Sequence, residues 1–272
     1  MTWSTATDVH ALLAAGGDFL RSRPVEHTVL LTEAAYLQAR PSSAPDQAYG
    51  WWRDAHGEVA GAFLRAPGHP PILSAMPRAA VAALPEVLGE AEAVGVDGAL
   101  LEQVSAAWRA ARGVTPVERS RITLYRLERF TPPALPAGRA RVAGSADREL
   151  LLSWFHDLMA AFPDDPSEAA YVIDDPLGFG GITLWEVAGR PVAMAGRSRL
   201  VAGMVRLGAV HAPGGDEAHA AAAFTAACAA ASEIADHVLV FAGADAEAAA
   251  TGYRELGFRP VLDRVMLGVP SA

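Results

Sequence analysis

One junction limits the folds open to this chain more than any other stretch. Val205-Arg206-Leu207-Gly208-Ala209-Val210-His211 alternates like a strand, and Pro213, Gly214 and Gly215 break it. An alanine-rich run that favours helix then continues to Glu233. A strand, a glycine turn and a helix N-terminus in succession form an anion site, because unpaired backbone N–H groups and the helix dipole converge there. The remainder of the chain reads as support for that junction or as access to it.

At 272 residues the chain has room for one large domain or two modest ones. Thr131-Pro132-Pro133-Ala134-Leu135-Pro136-Ala137-Gly138 is stiff, extended linker material, which places a boundary between a domain at 1–130 and another at 139–272. The first half reads as helix from Asp8 to Arg21, helix to Arg40, and a hairpin of Tyr49–Arg53 with Val59–Leu64. A strand at Pro71–Met76, helices at Ala79–Ala91 and Gly98–Arg112, and a strand at Glu118–Arg129 follow. The second half reads as a short strand at Ala140–Ala143, helix from Asp147 to Phe162 stopped by Pro163–Pro166, and helix at Ser167–Asp174. A hairpin of Gly181–Val187 with Arg190–Ala195 leads to the junction, and then come a strand at His237–Phe241, helix at Ala248–Leu256 and a closing strand at Phe258–Leu267.

The two halves run through similar elements. Trp51-Trp52-Arg53 with Gly57-Glu58-Val59 matches Trp185-Glu186 with Gly189-Arg190-Pro191 in register, which suggests duplication. In the first half only Pro77 and Arg78 separate strand from helix, so that copy lacks a glycine cradle.

Composition removes several function classes. With 51% hydrophobic and 19% charged residues the chain is suited to a packed core. A net charge of −9 disfavours broad nucleic-acid binding. No apolar run approaches the roughly 20 residues of a membrane span, and the N-terminus lacks a basic segment followed by an apolar core. The one cysteine, Cys228, fits a reducing cytoplasm and reads as a small buried hydrophobe on the alanine-rich helix. All the basic residues are arginine, which excludes lysine Schiff-base chemistry. No Cys/His spacing suits zinc, and there is neither a Walker A loop nor a serine elbow, so no metal is expected.

Arg206-Leu207-Gly208-Ala209-Val210-His211-Ala212-Pro213, a helix, Val238-Leu239-Val240-Phe241, and Gly252-Tyr253-Arg254-Glu255-Leu256-Gly257-Phe258 together resemble the GCN5-related N-acetyltransferase (GNAT) superfamily. The likeness is to two-domain bacterial members with a degenerate N-terminal half. It implies an α/β (α+β) fold of tandem GNAT-like domains, each a mixed twisted sheet flanked by helices. It also implies acetyl-CoA, or another acyl donor, at a splay in the C-terminal sheet. Its pantetheine would pair with Leu207, Gly208, Ala209 and Val210, and its pyrophosphate would lie on Gly214, Gly215, Ala218, His219 and Ala220. Tyr253 would be the acid that protonates the leaving thiolate. The loop departs from the family pattern: Glu217, Ala218 and Ala220 stand at its Arg-Gly-x-Gly core. Asp216 and Glu217 therefore put two carboxylates beside the phosphates, each repelling by about 1 kcal/mol at ~4 Å even in a watery site.

Further candidates surround that core. His211 and His219 flank the loop, with His211 the better base because it ends the strand. Glu186 lies where family members hold a water-relaying base. His156 and Asp157 fall on the helix that borders the family's acceptor site, and Arg197, Arg199 and Arg206 form an alternating basic stripe. The implied activity is N-acylation of a small-molecule amine, specialised metabolites among the acceptors, by a monomer or homodimer. Two alternatives stay open: a transferase that takes aminoacyl groups from charged tRNA, and a catalytically silent protein that binds a small ligand.

Overall fold

The computed structural model describes residues 1–88, 91–161, 167–244 and 246–270. The chain divides into two compact units, Met1–Leu124 with Ala242–Ala246 and Pro260–Ala272, and Tyr125–Phe241 with Glu247–Arg259.

The first unit is built from β1 (Thr2–Ala6), α1 (Val9–Arg21), α2 (Thr28–Ala39), β2 (Ala48–Arg53), β3 (Val59–Arg65), β4 (Ile72–Leu73), α3 (Arg78–Val87), β5 (Ala93–Asp97), α4 (Leu101–Arg112) and β6 (Val117–Leu127), whose last residues pass into the second unit. The Asp8 carboxylate caps α1 by accepting the His10 N–H at 2.9 Å. Gly113, at φ 69°, ends α4 in the left-handed conformation that costs glycine least.

Two strands of this unit escape the sequence reading. β1 pairs antiparallel with β2, placing Trp3 opposite Trp52. In β5, Val94 and Val96 are fully buried. A Cβ on Gly95 would overlap the Ile72 side chain, so the strand is kept small by its neighbour.

The second unit contains β7 (Arg139–Val142), α5 (Arg148–Ala160), a π-helical turn at Ala170–Asp174 that runs into α6 (Asp175–Gly178), β8 (Ile182–Val187), β9 (Arg190–Arg197), β10 (Met204–His211), α7 (Glu217–Ser232), β11 (His237–Gly243), α8 (Glu247–Leu256) and the start of β12 (Phe258–Gly268). The expected end of α5 at Phe162 and its Pro163–Pro166 stop lie outside the described residues. Strand order here is β11-β10-β9-β8-β7. One face of the sheet carries Ile182, Leu184 and Met194, packed against Leu151, Trp154 and Phe155 of α5. α7 packs on β8, β9 and β10, and its buried positions are mostly alanine, which lets helix and sheet approach closely.

The 131–138 stretch lies within the second unit. Those residues are largely exposed and without regular structure, but the chain changes units earlier, between Leu124 and Tyr125. From Pro260 onward β12 belongs to the first unit, where Arg264–Gly268 pairs antiparallel with Asp97–Ala93. Val265 and Leu267, each 1% exposed, enter that unit's core beside Val94, Val96 and Trp108. The first unit's strands thus run β1-β2-β3-β4-β5-β12-β6. Among the described residues no helix is long and apolar enough to cross a membrane.

Candidate functional site

The geometry of the second unit centres on β10. Its parallel register with β11 runs from Met204↔His237 to Leu207↔Val240, and no further pair follows among the described residues. On its other edge, Gly208 opposes Gly196 and His211 opposes Met194, so Ala209 and Val210 together face Ala195: a β-bulge. Ala209 sits at φ 49°, a left-handed conformation that costs a non-glycine residue about 1 kcal/mol or more. Gly196 permits the bulge, since a Cβ there would press on the Ala209 side chain at 3.3 Å. Beyond Leu207, then, β10 turns away from β11 and leaves a splay whose edge is main chain.

The turn that follows has the expected shape. Gly214 and Gly215 adopt φ 72° and 74°. The helix start is already satisfied, however. Asp216 is the N-cap of α7, its carboxylate accepting the His219 N–H at 3.0 Å and lying 2.7 Å from His219 Nδ1. The His219 N–H, with help from that of Ala218, holds the Asp216 carboxyl below the usual carboxylate range. An exposed Glu217 follows. The chain's own carboxylate therefore takes an N–H at the start of α7 and sets a negative charge beside it. The edge of β10 beyond Leu207 thus presents main chain, and the start of α7 presents the Asp216 and Glu217 carboxylates.

His211 closes β10. Its ring lies 6.1 Å from that of Trp154, and its Nε2, buried and without a hydrogen-bond partner, is 3.9 Å from an Asp157 oxygen. Trp154 and Asp157 are three residues apart on α5 and share one face of it, a spacing that would have revealed Trp154 beside the candidate histidine. His156, on the adjacent position, is exposed.

Tyr253 lies on α8 in an aromatic group, with ring centroids 5.1 Å from Phe224, 5.9 Å from Phe258 and 6.2 Å from Tyr125. Burial raises its hydroxyl pKa above the ordinary tyrosine value, which keeps the phenol protonated at neutral pH. The glycine of the Tyr-x-x-x-Gly-Phe motif has a mechanical role: Gly257 is at φ 103°, and a Cβ on it would overlap the Arg129 carbonyl oxygen. Gly257 and Leu256 in turn accept the N–H groups of Glu128 and Thr131 at 3.1 and 2.9 Å.

Three candidates are engaged elsewhere. Glu186, 5% exposed, binds Arg141 Nε at 2.6 Å and Arg139 Nε at 3.0 Å, and Arg141 also grips Asp147 at 2.7 and 2.8 Å. Arg141, then Arg139, hold the Glu186 carboxyl below its usual range, and both of its oxygens are engaged in these pairs. Arg199 forms a two-point pair with the buried Asp175 at 2.7 and 3.2 Å, a structural brace rather than a substrate contact. Arg206 donates to the Tyr171 hydroxyl at 2.9 Å and lies over Phe241. Arg197, stacked over Phe179 at 5.2 Å, has no carboxylate partner among the described residues.

The first unit shows why its equivalent position is blocked. There β4 and β5 pair in parallel through Ile72↔Gly95 alone. The Arg264 guanidinium, 7% exposed, donates to the Leu73 carbonyl at 2.8 Å and to that of Glu26. A buried arginine thus fills the place beside β4 where the second unit has an open splay. Among the described residues no group of three or more His, Cys, Asp or Glu side chains is placed to hold a metal.

No protein-family model matches the chain, and neither does any curated protein. Solved structures do. A GCN5-related N-acetyltransferase from Sphaerobacter thermophilus superposes with a TM-score of 0.61 at 14% identity, covering 97% of this chain and 94% of its own. A GNAT-family acetyltransferase from Colwellia psychrerythraea gives 0.60 at 11% identity with both chains fully covered. A tandem GNAT protein from the clavulanic acid biosynthesis pathway gives 0.57 at 14% identity, also over the full length of both. The chain has the GNAT fold.

Proposed function

We propose that the second unit transfers an acyl group from a thioester donor to the amine of a small molecule. The observation that carries this reading is the parting of β10 from β11 after Leu207↔Val240, at the strained bulge of Ala209. Backbone groups of Leu207, Gly208, Ala209 and Val210 would pair with the amide-bearing arm of the donor, fixing the thioester for attack. The amine nitrogen bonds to the carbonyl carbon, the carbon–sulfur bond breaks, and the sulfur takes the Tyr253 proton. The proton lost by the amine goes to His211, whose imidazolium Asp157 would stabilise. Gly214 and Gly215 shape the turn. In this reading Ala218, His219 and Ala220 contribute little to holding a pyrophosphate, because the Asp216 carboxylate caps that helix. The donor is therefore held mainly by its thioester arm.

Calorimetry with acetyl-CoA and S-acetylpantetheine, followed by turnover with a panel of primary amines, tests this. The two thioesters should bind within about threefold of each other, a difference under roughly 1 kcal/mol. If neither binds, the acyltransfer reading fails. A strong preference for acetyl-CoA would instead restore the pyrophosphate contact.

Charged tRNA as donor is the weaker reading. A polyanion needs free arginines, and Arg199 and Arg206 are committed to Asp175 and Tyr171. A silent ligand-binding protein is the other outcome of the same assay: thioester binding with no product from any amine.

A further inference from the structure

A cavity of about 610 Å³ opens in the first unit, lined by Thr5, Ala6 and Thr7 at the end of β1, Ala48, Phe63, Arg65, Pro71, and Val87 with Leu88 at the end of α3. It lies on the side of the sheet where Phe63 and Leu88 join the hydrophobic core. It owes its space to small residues. Ala48 stands directly opposite Arg65 in the β2–β3 register, and Gly50 opposite Phe63. A Cβ on Gly50 would overlap the Phe63 ring. Its volume is that of a typical small-molecule site, about 300–1,000 Å³.

One side chain in this cavity is unexplained by the fold. Arg65 Nε is buried without a hydrogen-bond partner, and no carboxylate lies within ion-pair distance of Arg65 among the described residues. Asp46 is the acid that feels its charge, and one Asp46 oxygen is taken by the Gly68 N–H at 2.7 Å. Arg65 as a whole is half-buried, but its Nε faces no acceptor, and a bound anion would supply one. We propose that this cavity binds a small monocarboxylate with an apolar tail. The planar fork of Arg65 matches a carboxylate in two-point geometry. A single cation balances a single negative charge, which favours a carboxylate over a doubly charged phosphate monoester. Phe63, Pro71, Val87 and Leu88 offer the tail an apolar wall. The site is independent of the acyltransfer reading, since every lining residue belongs to the first unit.

Calorimetric titration of the full chain with octanoate, with 1-octanol as its uncharged twin, tests the proposal. Octanoate should bind at least about tenfold tighter than 1-octanol, and Arg65→Met should weaken octanoate by about tenfold or more while leaving Tm nearly unchanged. Ala48→Leu, which fills the space opposite Arg65, should abolish binding; it provides the test if Arg65→Met fails to fold. No heat with octanoate up to millimolar concentration overturns the proposal. So does equal binding by the wild type and the folded Arg65→Met protein, or by the wild type and Ala48→Leu.

Discussion

The Asp216 carboxylate accepts the His219 backbone N–H at 3.0 Å and also meets that residue's Nδ1 at 2.7 Å. One side chain thereby caps α7 and brings a negative charge to the helix start that a strand–glycine–helix junction would otherwise offer to an anion. Replacing Asp216 by serine keeps a capping oxygen and removes the charge. Acetyl-CoA affinity should then rise by about fivefold as the repulsion is relieved. Asp216→Ala should lower the denaturation midpoint through the missing cap. Calorimetry and chemical denaturation read the two effects separately, and an unchanged affinity in the serine variant would dissociate Asp216 from donor choice.

Tyr253 is held protonated by burial among Phe224, Phe258 and Tyr125. If it supplies the proton to the leaving sulfur, Tyr253→Phe should lower kcat by about 100-fold with the fold intact. Its raised pKa also means that activity should hold up to alkaline pH and decline only beyond the ordinary tyrosine value near 10. That alkaline limb should be missing in the residual activity of the phenylalanine variant. Full activity in Tyr253→Phe would remove the tyrosine from the mechanism.

Arg141 ties Glu186 to Asp147 and lowers the pKa of both carboxyls. A depressed folded-state pKa gives stability that is present above the unfolded value, near 4, and lost as pH falls through the folded value. Arg141→Met should lower Tm at neutral pH and flatten the decline of Tm between about pH 5 and 2. Calorimetric melting curves that remain parallel for wild type and variant across that range would show that the network contributes nothing to acid stability.

Cys228 is fully buried on α7, and burial pushes its thiol up to about 12. A thiol-specific reagent at pH 8 should leave it unmodified in the native protein and label it fully in denaturant. Rapid native labelling would mean that α7 opens locally far more often than its packing implies.

Much of the fold was legible because it is written in local patterns. The Asp8 cap, the hairpin of β2 and β3, the glycine turn and the position of α8 follow from spacing that nearby residues enforce. β1 and β5 were not, since an edge strand of mixed polarity and a small-residue strand without alternation lack a periodic signature. The same limit applies to the site. His211 and Asp157 were each visible, but their approach to 3.9 Å was not, and Trp154 was overlooked. The arginine stripe looked available because sequence shows charge and hides partners. Asp175 and Tyr171 had already taken Arg199 and Arg206.

By itself, the sequence determined that a strand, two positive-φ glycines and an alanine-rich helix meet at Gly214 and Gly215, because those conformations are set by the residues that adopt them. Only the tertiary structure decided which distant segments meet. Whether the Arg264 guanidinium reaches the Leu73 and Glu26 carbonyls, and which strand β12 pairs with, depend on residues brought together from distant parts of the chain. A residue type specifies what a side chain is able to bind; packing decides whether its partner has already arrived.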